Sequence, residues 1–479
     1  MSRGAPAGRS ATPPEAPGGH RATLAQQLRQ AARCVQAVQA GRSLTDVLPT
    51  VPGPLRPGVQ ALTFHALRHL GAAVALVGLL ADKPPPAPTR ALLCVALSLL
   101  MPAAASASVV AGPQYEPFTV VDQAVDAVRS ARDTAHHAAM VNACLRRYLR
   151  ERDDLMAQVN ADWEARYNHP AWWVKRVRRD HPLHWQAILA ASQVPAPLVL
   201  RVNTAHLSRD GYLAHLAEVG LQAHAVGASG VRLTRHVGVE GLPGYEQGWF
   251  SVQDTAAQLA APLLLDGLSA AADRPLRVLD ACAAPGGKTA HLLERAHERG
   301  LAVDVLALEV DARRSQRIIE NLTRLRLPVP AATPLASAVQ VKVADASALS
   351  AWWDGELFDA ILLDAPCTAS GIVRRHPDVR WLRRETDVTA LAATQSRLLE
   401  ALWPLLRHGG RMVYCTCSVF RAEGQAQVDA FVVRHTDACT APAPGHLLPG
   451  VVSGGALMTD NAGGENDGFF YACLDKLGG

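Results

Sequence analysis

A chain of 479 residues that is 49% hydrophobic and has a near-zero mean hydropathy is typical of a soluble globular protein, and its length predicts two to four domains. Residues 1–250 carry 25 Lys and Arg against 17 Asp and Glu, whereas the remainder carries 22 against 26, which fits either a polyanion-binding module on an enzyme or an ordinary solvated surface. Nine scattered cysteines exclude a disulfide framework, favour a reducing compartment and lack metal-binding spacing, so no metal is expected.

The first part of the chain is predicted to be a tail followed by helices. Residues 1–23 are rich in Gly, Pro, Ala, Ser and Arg and have no apolar core, so we expect a disordered tail rather than a secretory signal. Residues 24–152 show helical periodicity interrupted by Pro-rich breaks. The uncharged run 91–114 has the length of a membrane span, but Pro102 and Pro113 interrupt it. We therefore predict a buried helix followed by a loop, and no membrane segment.

A helical linker over 153–196 and a small α+β module over 197–250 are predicted next. The linker holds a basic amphipathic stretch with two tryptophans, followed by Lys175, Arg176, Arg178 and Arg179. This stretch either packs with its charges in water or contacts RNA phosphates, and the pattern leaves both interpretations open. In the module, short apolar runs alternate with turns.

Strands and helices alternate through the last part of the chain, residues 251–479. The predicted strands are 277–282, 304–310, 338–343, 358–364, 411–415 and 469–474, and the predicted helices are 287–298, 312–325, 387–406 and 423–435. This alternation predicts a doubly wound parallel sheet of the Rossmann-like type. Ligands of such sheets bind beyond the carboxyl ends of the strands.

The turn after the first of these strands suits a nucleoside ligand. Pro285 restricts the loop, Gly286 and Gly287 let the backbone approach a ligand, and the following helix offers free N–H groups. Glu309 ends the second strand, where a carboxylate can accept both ribose hydroxyls, and Asp345 follows the third, where it can accept from an adenine amino group. Either acid could instead be a helix cap or a loop carboxylate.

Asp364, Cys367 and Cys417 are predicted to share the carboxyl edge of neighbouring strands. A thiolate that adds to carbon 6 of cytosine makes carbon 5 nucleophilic towards a methyl sulfonium, and a carboxyl group can stabilise the adduct. A second thiol or another base can assist removal of the carbon 5 proton, and the base must first leave its stack. A lone buried cysteine is more often a core residue, but this set indicates covalent methylation of a pyrimidine. The chemistry alone does not choose between the thiols.

Three segments then resemble a known family. Asp-Ala-Cys-Ala-Ala-Pro-Gly-Gly-Lys-Thr at 280–289, Asp-Ala-Pro-Cys at 364–367 and Thr-Cys-Ser at 416–418 resemble the RNA 5-methylcytosine methyltransferases of the Sun or Fmu family. The stretch 370–384 is similar to the bacterial members that act on 16S ribosomal RNA. Residues 24–152 resemble the helical NusB-like RNA-binding domain that such members carry.

The resemblance implies roles for individual residues. Cys417 matches the nucleophile, and Cys367 matches the cysteine that assists product release. The S-adenosylmethionine site is implied at Cys282, Ala283, Ala284, Pro285, Gly286, Gly287, Lys288, Glu309, Asp345 and Asp364. Further candidate RNA contacts are Arg374, Arg375 and Arg380. The chain departs from the family in Glu309, where Asp is more common, in the additional thiol Cys415, in Gly424-Gln425, where Glu-Asn is expected, and in longer loops at 328–338 and 451–466.

The sequence therefore predicts a multidomain enzyme. Its expected parts are an all-α NusB-like domain, a helical linker, a small α+β RNA-binding module and an α/β Rossmann-like methyltransferase domain. We expect a cytoplasmic monomer that methylates 16S ribosomal RNA, either naked or in an early assembly intermediate. The alternatives are the same chemistry on transfer RNA and a non-catalytic RNA-binding or antitermination factor. The intact set of Asp364, Cys367 and Cys417 favours an enzyme.

Overall fold

The computed structural model describes residues 23–102, 112–235, 237–269, 273–328, 336–452 and 465–478. The predicted tail lies outside the described residues except for Thr23, as do 329–335 and 453–464 within the two longer loops.

The first part of the described chain is helical, as its pattern predicts. Its α-helices are α1 (Leu24–Gln39), α2 (Leu44–Val47), α3 (Arg56–Arg68), α4 (Leu70–Leu80), α5 (Ala87–Leu100), α6 (Pro117–Arg129), α7 (Ala138–Arg150), α8 (Arg152–Val159), α9 (Trp163–Tyr167), α10 (Ala171–Asp180) and α11 (Trp185–Ala191). Thr23 and Gln26 form a capping box that starts α1. Ten of the 14 residues of α5 are buried, which confirms the buried helix predicted at the start of the uncharged run.

These helices pack into two separate hydrophobic cores. The first core continues past residue 152, because Leu155, Val159 and Ala165 pack into it. Helices α10 and α11 belong instead to a core that includes Val419 and Phe420, so the linker packs directly beside the predicted catalytic residues. Among the described residues, no single helix is long and apolar enough to cross a membrane. The segments Gly53–Arg68 and Leu70–Leu80, which meet at a bend, are together long and apolar enough, but only their length and composition point to a membrane.

The small module is a four-stranded antiparallel sheet with one helix. Its elements are β1 (Val199–Val202), α12 (Arg209–Glu218), β2 (Ala223–Val226), β3 (Gly230–Leu233) and β4 (Phe250–Val252), in the spatial order β2-β3-β1-β4. Tyr212 of α12 and Phe250 of β4 are buried in its core. The predicted α+β module is therefore confirmed, with its last strand ending two residues beyond 250.

The last part of the chain forms a seven-stranded sheet with helices. Its elements are α13 (Ala260–Leu265), β5 (Leu276–Asp280), α14 (Gly287–Glu298), β6 (Val303–Glu309), α15 (Ala312–Leu325), β7 (Ala338–Val343), β8 (Phe358–Asp364), α16 (Val379–Leu382), α17 (Glu385–Leu402), β9 (Leu406–Thr416), α18 (Gln425–Arg434), β10 (Ala438–Leu447) and β11 (Phe469–Lys476). The strand order is β10-β11-β9-β8-β5-β6-β7.

This sheet is mixed, which corrects the predicted all-parallel arrangement. Strands β5 to β9 pair in parallel, but β11 runs antiparallel to β9 and β10 runs antiparallel to β11. Successive antiparallel strands such as β10 and β11 need no crossover helix, so β-α alternation does not foretell them. The strand order reverses between β5 and β8, which places a crevice at their carboxyl ends.

Candidate active site

The turn between β5 and α14 has the backbone geometry expected of a ligand-binding loop. Gly286 has φ +94°, and a Cβ there would lie 3.0 Å from the Cα of Ile318, so only glycine fits. A Cβ on Gly287 would meet only the amide nitrogen of Gln253, at 3.9 Å. The first turn of α14 is therefore open to a ligand on that side.

Beyond the strand ends lies a cavity of about 700 Å³. Of the residues predicted to bind the cofactor, it is lined by Cys282, Ala284, Pro285, Glu309, Asp345 and Asp364. Cys367 and Cys417 line the same cavity, so one space holds both the predicted cofactor residues and the two thiols. Ala283, Gly286, Gly287 and Lys288 belong to the surrounding turn and helix instead.

Two of the carboxylates are held by neighbouring donors. Glu309 is buried and accepts from the backbone N–H of Asp311 at 3.1 Å and from Arg314 at 3.3 Å. The hydroxyl and the N–H of Ser347 both donate to Asp345, and they lower its pKa. Asp345 therefore stays ionised and available as an acceptor at neutral pH.

Asp364 is fixed from two sides. Lys288 Nζ donates to one carboxylate oxygen at 2.6 Å, and the thiol of Cys415 lies 3.5 Å from the other. Burial alone would lower the pKa of Lys288, but Asp364 beside it more than offsets this, so the ammonium stays charged. Burial raises the pKa of Cys415, which keeps it a neutral donor. The additional thiol noted in the sequence thus acts as a hydrogen-bond partner of Asp364.

The two candidate catalytic thiols lie side by side. Their sulfur atoms are 3.4 Å apart, although Cys367 and Cys417 are separated by 50 residues in the chain. The hydrogen bond with Cys417, followed by burial, raises the pKa of the Cys367 thiol. Cys367 is therefore a neutral thiol at physiological pH, able to donate a hydrogen bond to a thiolate on Cys417.

Several cavity residues were missed by the sequence analysis, among them His376, Arg383 and Arg397. His376 and Arg383 lie in the stretch that carries the family resemblance, but nothing local shows that they face the cavity. Desolvation by the surrounding protein lowers the pKa of His376, although the residue keeps an exposed part. Arg397 lines the cavity with Leu391 and Thr394, and this helical spacing on one face of α17 is a signal that could have found it.

Of the three predicted RNA contacts at 374–380, the structure corrects the buried Arg374 and Arg380, whereas the side chain of Arg375 is 23% exposed and its contact with RNA stays a prediction. Arg380 is fully buried and donates to the carbonyls of Ser192, at 2.6 Å, and Val373, at 3.2 Å. Arg374 and Arg375 both pair with the buried carboxylate of Asp467. These guanidinium groups hold loops together, because each forms hydrogen bonds or ion pairs with other parts of the protein. A basic stretch in a sequence does not show whether its cations contact RNA or pair within the protein.

The four cations of the basic stretch on α10 differ in their exposure to solvent. Lys175, Arg178 and Arg179 are exposed, so their contact with RNA stays a prediction. The side chain of Arg176 is only 12% exposed and lies over the ring of Phe420, 5.5 Å from its centroid. Arg176 is thus a packing residue between the linker and the methyltransferase domain, which corrects its assignment as an RNA contact.

Comparison with known proteins matches nearly the whole chain. A family model described as 16S rRNA methyltransferase RsmB/F matches residues 270–475, and one described as a ferredoxin-like domain of RsmF/B-like methyltransferases matches residues 169–240. Ribosomal RNA small subunit methyltransferase B of Escherichia coli O7:K1 (strain IAI39 / ExPEC) is 38% identical over 456 residues, covering 92% of this chain and 96% of that protein. The protein of the same name from Vibrio vulnificus (strain YJ016) is 38% identical over 459 residues, covering 92% and 97%.

A solved structure supports the fold of the whole chain. The chain described as "Crystal Structure of PH0851" has a TM-score of 0.68 to this protein at 22% identity, covering 94% of this chain and 99% of that one. At this identity the likeness concerns the fold: a helical first part, a small sheet module and a Rossmann-like domain.

Fold and site together define an S-adenosylmethionine-dependent methyltransferase that acts on ribosomal RNA. The residues present fit this cofactor, because the open turn before α14 and the carboxylates of Glu309 and Asp345 border one cavity. More particularly, the chain belongs to the RsmB/F family of 16S rRNA methyltransferases.

Proposed function

We propose that this protein forms 5-methylcytosine in 16S ribosomal RNA through a covalent bond between Cys417 and carbon 6 of the target cytosine. The observation that carries the proposal is the pair of thiols 3.4 Å apart on a cavity shared with Asp364. A methyltransferase that acts on an oxygen or an exocyclic nitrogen has no need of such a pair, whereas carbon 5 of cytosine needs a nucleophile to activate it.

The cofactor is proposed to lie across the turn before α14. The open backbone from Cys282 to Lys288 would face its methionine part, Glu309 would accept the ribose hydroxyls, and Asp345 would accept from the adenine amino group. S-adenosylmethionine supplies an electrophilic methyl group when bound. Because Asp364 and both thiols border the same cavity, the target base would sit beside that methyl group.

Each step of the chemistry has a residue in place. The Cys417 thiolate adds to carbon 6, and Asp364 hydrogen-bonds to the edge of the base while the adduct exists. Carbon 5 then takes the methyl group. In the release step water takes the proton from carbon 5, the electron pair of that C–H bond forms the double bond between carbons 5 and 6, the bond between sulfur and carbon 6 breaks, and Cys417 departs as a thiolate. The neutral Cys367 thiol stabilises that thiolate by donating a hydrogen bond.

The roles of the two thiols are tested by trapping the adduct. Cys367→Ala, incubated with ribosomal RNA and S-adenosylmethionine, should give a protein–RNA species that survives a denaturing gel, because the adduct forms but resolves slowly. Cys417→Ala should lose turnover by on the order of a thousandfold or more and give no such species. Cys439→Ala, which removes an exposed cysteine on β10, is the matched control and should behave as the wild type. An adduct that needs Cys367 and survives loss of Cys417 would reverse the assignment.

The target is tested separately. The relatives from Escherichia coli and Vibrio vulnificus are named as small-subunit methyltransferases, which supports 16S ribosomal RNA. Bisulfite sequencing of total RNA from cells with and without this protein should show one cytosine in 16S ribosomal RNA that loses its methyl group. Loss of a modification in transfer RNA instead would favour the alternative substrate.

A further inference from the structure

A single buried carboxylate, Glu423, connects the two loops that carry the thiols. Its side chain is completely buried at the end of the short 3-10 turn Arg421–Glu423, which precedes α18. One oxygen accepts from the backbone N–H of Thr368 at 2.8 Å. The other accepts from the hydroxyl of Thr368 at 2.5 Å and from the hydroxyl of Ser418 at 2.6 Å. Thr368 directly follows Cys367, and Ser418 directly follows Cys417.

A second layer of hydrogen bonds fixes this arrangement. Gln395 donates to the carbonyl of Pro366 at 2.9 Å and lies 3.5 Å from the carboxylate. The hydroxyl of Tyr414 donates to the backbone carbonyl of Glu423 at 2.8 Å. The hydroxyls of Ser418 and Ser370 are 2.8 Å apart. The carboxylate is thus the centre of a network that includes residues on both sides of each thiol.

The carboxylate of Glu423 is an acceptor shared by donors of both thiol loops. The donors that reach it are neutral hydroxyls and amides. Burial raises the pKa of Glu423, while the hydrogen bonds from Ser418 and Thr368 lower it. The charge of Arg383 also lowers this pKa. An apolar side chain in this place would leave the N–H and the hydroxyl of Thr368 and the hydroxyl of Ser418 without this acceptor. The carboxylate therefore ties the loop after Cys367 to the loop after Cys417.

We propose that Glu423 is a positioning residue that holds the Cys367 and Cys417 loops at the separation the reaction requires. This inference rests on the proposed function for its kinetic consequences, but the geometry it describes can be measured independently. Glu423 has two oxygens and can bind both loops at once. An aspartate is one methylene shorter and cannot reach both Thr368 and Ser418 without moving a loop, whereas a glutamine has the same length.

The first test compares Glu423→Asp with Glu423→Gln. A misplacement of about 1 Å between reacting groups can cost on the order of a hundredfold in rate, so Glu423→Asp should lower kcat by roughly that factor. The KM for S-adenosylmethionine should stay unchanged, because no residue of the network belongs to the cofactor turn. Glu423→Gln should lose less than Glu423→Asp, since it keeps the length. Glu400→Gln, the same change on a half-exposed carboxylate of α17, is the matched control and should have no effect.

The second test reads the distance between the sulfur atoms without any methylation. Diamide oxidises two neighbouring thiols to a disulfide: each sulfur loses its hydrogen, the S–S bond forms, and diamide is reduced to the hydrazine. In the wild type the Cys367–Cys417 bond should form quickly, because the sulfurs are already 3.4 Å apart. Glu423→Asp should slow its formation by about tenfold or more at the same folded fraction, checked by circular dichroism. Peptide mapping identifies the bond.

The outcomes separate the two proposals. A disulfide rate in Glu423→Asp equal to that of the wild type overturns the positioning role, as does an unchanged kcat in an enzyme shown to work through Cys417. A fall in kcat matched by an equal fall in the folded fraction also overturns it. If Cys367→Ala yields no adduct while the disulfide rate still depends on Glu423, the covalent mechanism fails and the positioning role stands.

Discussion

The buried ion pair between Arg201 and Glu294 offers a quantitative test of how the small module is joined to the methyltransferase domain. Arg201 on β1 donates to the two carboxylate oxygens of Glu294 on α14 at 2.7 and 2.8 Å, and their side chains are 0% and 2% exposed. The same guanidinium donates to the carbonyl of Gly287 at 2.9 Å and to Gln253. One arginine therefore connects the module to the first turn of the helix that follows the cofactor loop.

The change Arg201→Met keeps the apolar part of the side chain and removes its charge. Glu294 is then left buried without its partner, and breaking such a pair costs about 3–5 kcal/mol. Burial already raises the pKa of Glu294, and Arg201 is the main group that lowers it. Without Arg201 the folded-state pKa of Glu294 should rise further above its unfolded value of about 4.3, so the variant's loss of stability should grow as the pH rises from that value towards the folded-state pKa.

Urea unfolding followed by circular dichroism measures this effect. With an m value of about 2–3 kcal/mol per molar, the midpoint should fall by roughly 1–2 M. The double variant Arg201→Met with Glu294→Leu should recover most of the loss, because no unpaired charge remains, giving a coupling free energy of at least about 2 kcal/mol. Arg434→Ala, which breaks a half-exposed pair with Glu400, is the control and should change the midpoint little. The reasoning is refuted if Arg201→Met costs less than about 1 kcal/mol, as an exposed pair would, or if the two single changes simply add.

Three further predictions follow from the site and its surroundings. Glu309→Ala should weaken S-adenosylmethionine binding by about tenfold or more, because charge-assisted hydrogen bonds are worth roughly 1.5–3 kcal/mol each; calorimetry that finds unchanged affinity would remove Glu309 from the site. Burial raises the pKa of Asp280 to about 7. When the folded-state pKa of a carboxyl group lies above its unfolded value of about 3.9, the protein loses stability as the pH rises from the unfolded to the folded pKa. Relative to the wild type, Asp280→Asn should therefore gain roughly 2–4 kcal/mol in urea unfolding between pH 4 and pH 7, and a constant difference would contradict this. Replacing Lys175 and Arg179 with Ala should reduce the salt dependence of RNA binding by about 0.7–0.9 log units per charge, and a filter-binding salt titration that keeps the wild-type slope would show that α10 does not face RNA.

Local pattern was sufficient for most of the methyltransferase domain. Helices 287–298 and 312–325 and strands 338–343 and 358–364 have the bounds predicted from periodicity. The reason is that apolar spacing and turn residues act over a few neighbouring positions, which a sequence displays directly. Helices α13 and α16 and strand β10 were not predicted. Strand β10 is rich in Ala and Pro, and its pairing with β11 is what makes it a strand.

The cofactor turn and the two cysteine motifs could also be identified from the sequence, because each is a short run of consecutive residues. What these residues do to one another depended on the tertiary structure. The 3.4 Å between Cys367 and Cys417 arises because β8 and β9 are neighbours in the sheet, and that neighbourhood raises the pKa of Cys367. Glu423 lies five residues after Ser418 and joins that loop to Thr368, which is 55 residues away in the chain.

The basic residues also show which properties a sequence displays and which depend on tertiary structure. Arg380 and Arg179 look alike in a sequence, as cations in a positively charged stretch. Arg380 is buried against backbone carbonyls of two distant segments, whereas Arg179 faces water. Whether a charge is exposed depends on which segments fold over it. Most of the elements, the cofactor turn and the reactive groups could be predicted from the sequence, because each depends on neighbouring residues. The packing of distant segments decided which charges are buried, which thiols meet and which carboxylate holds them.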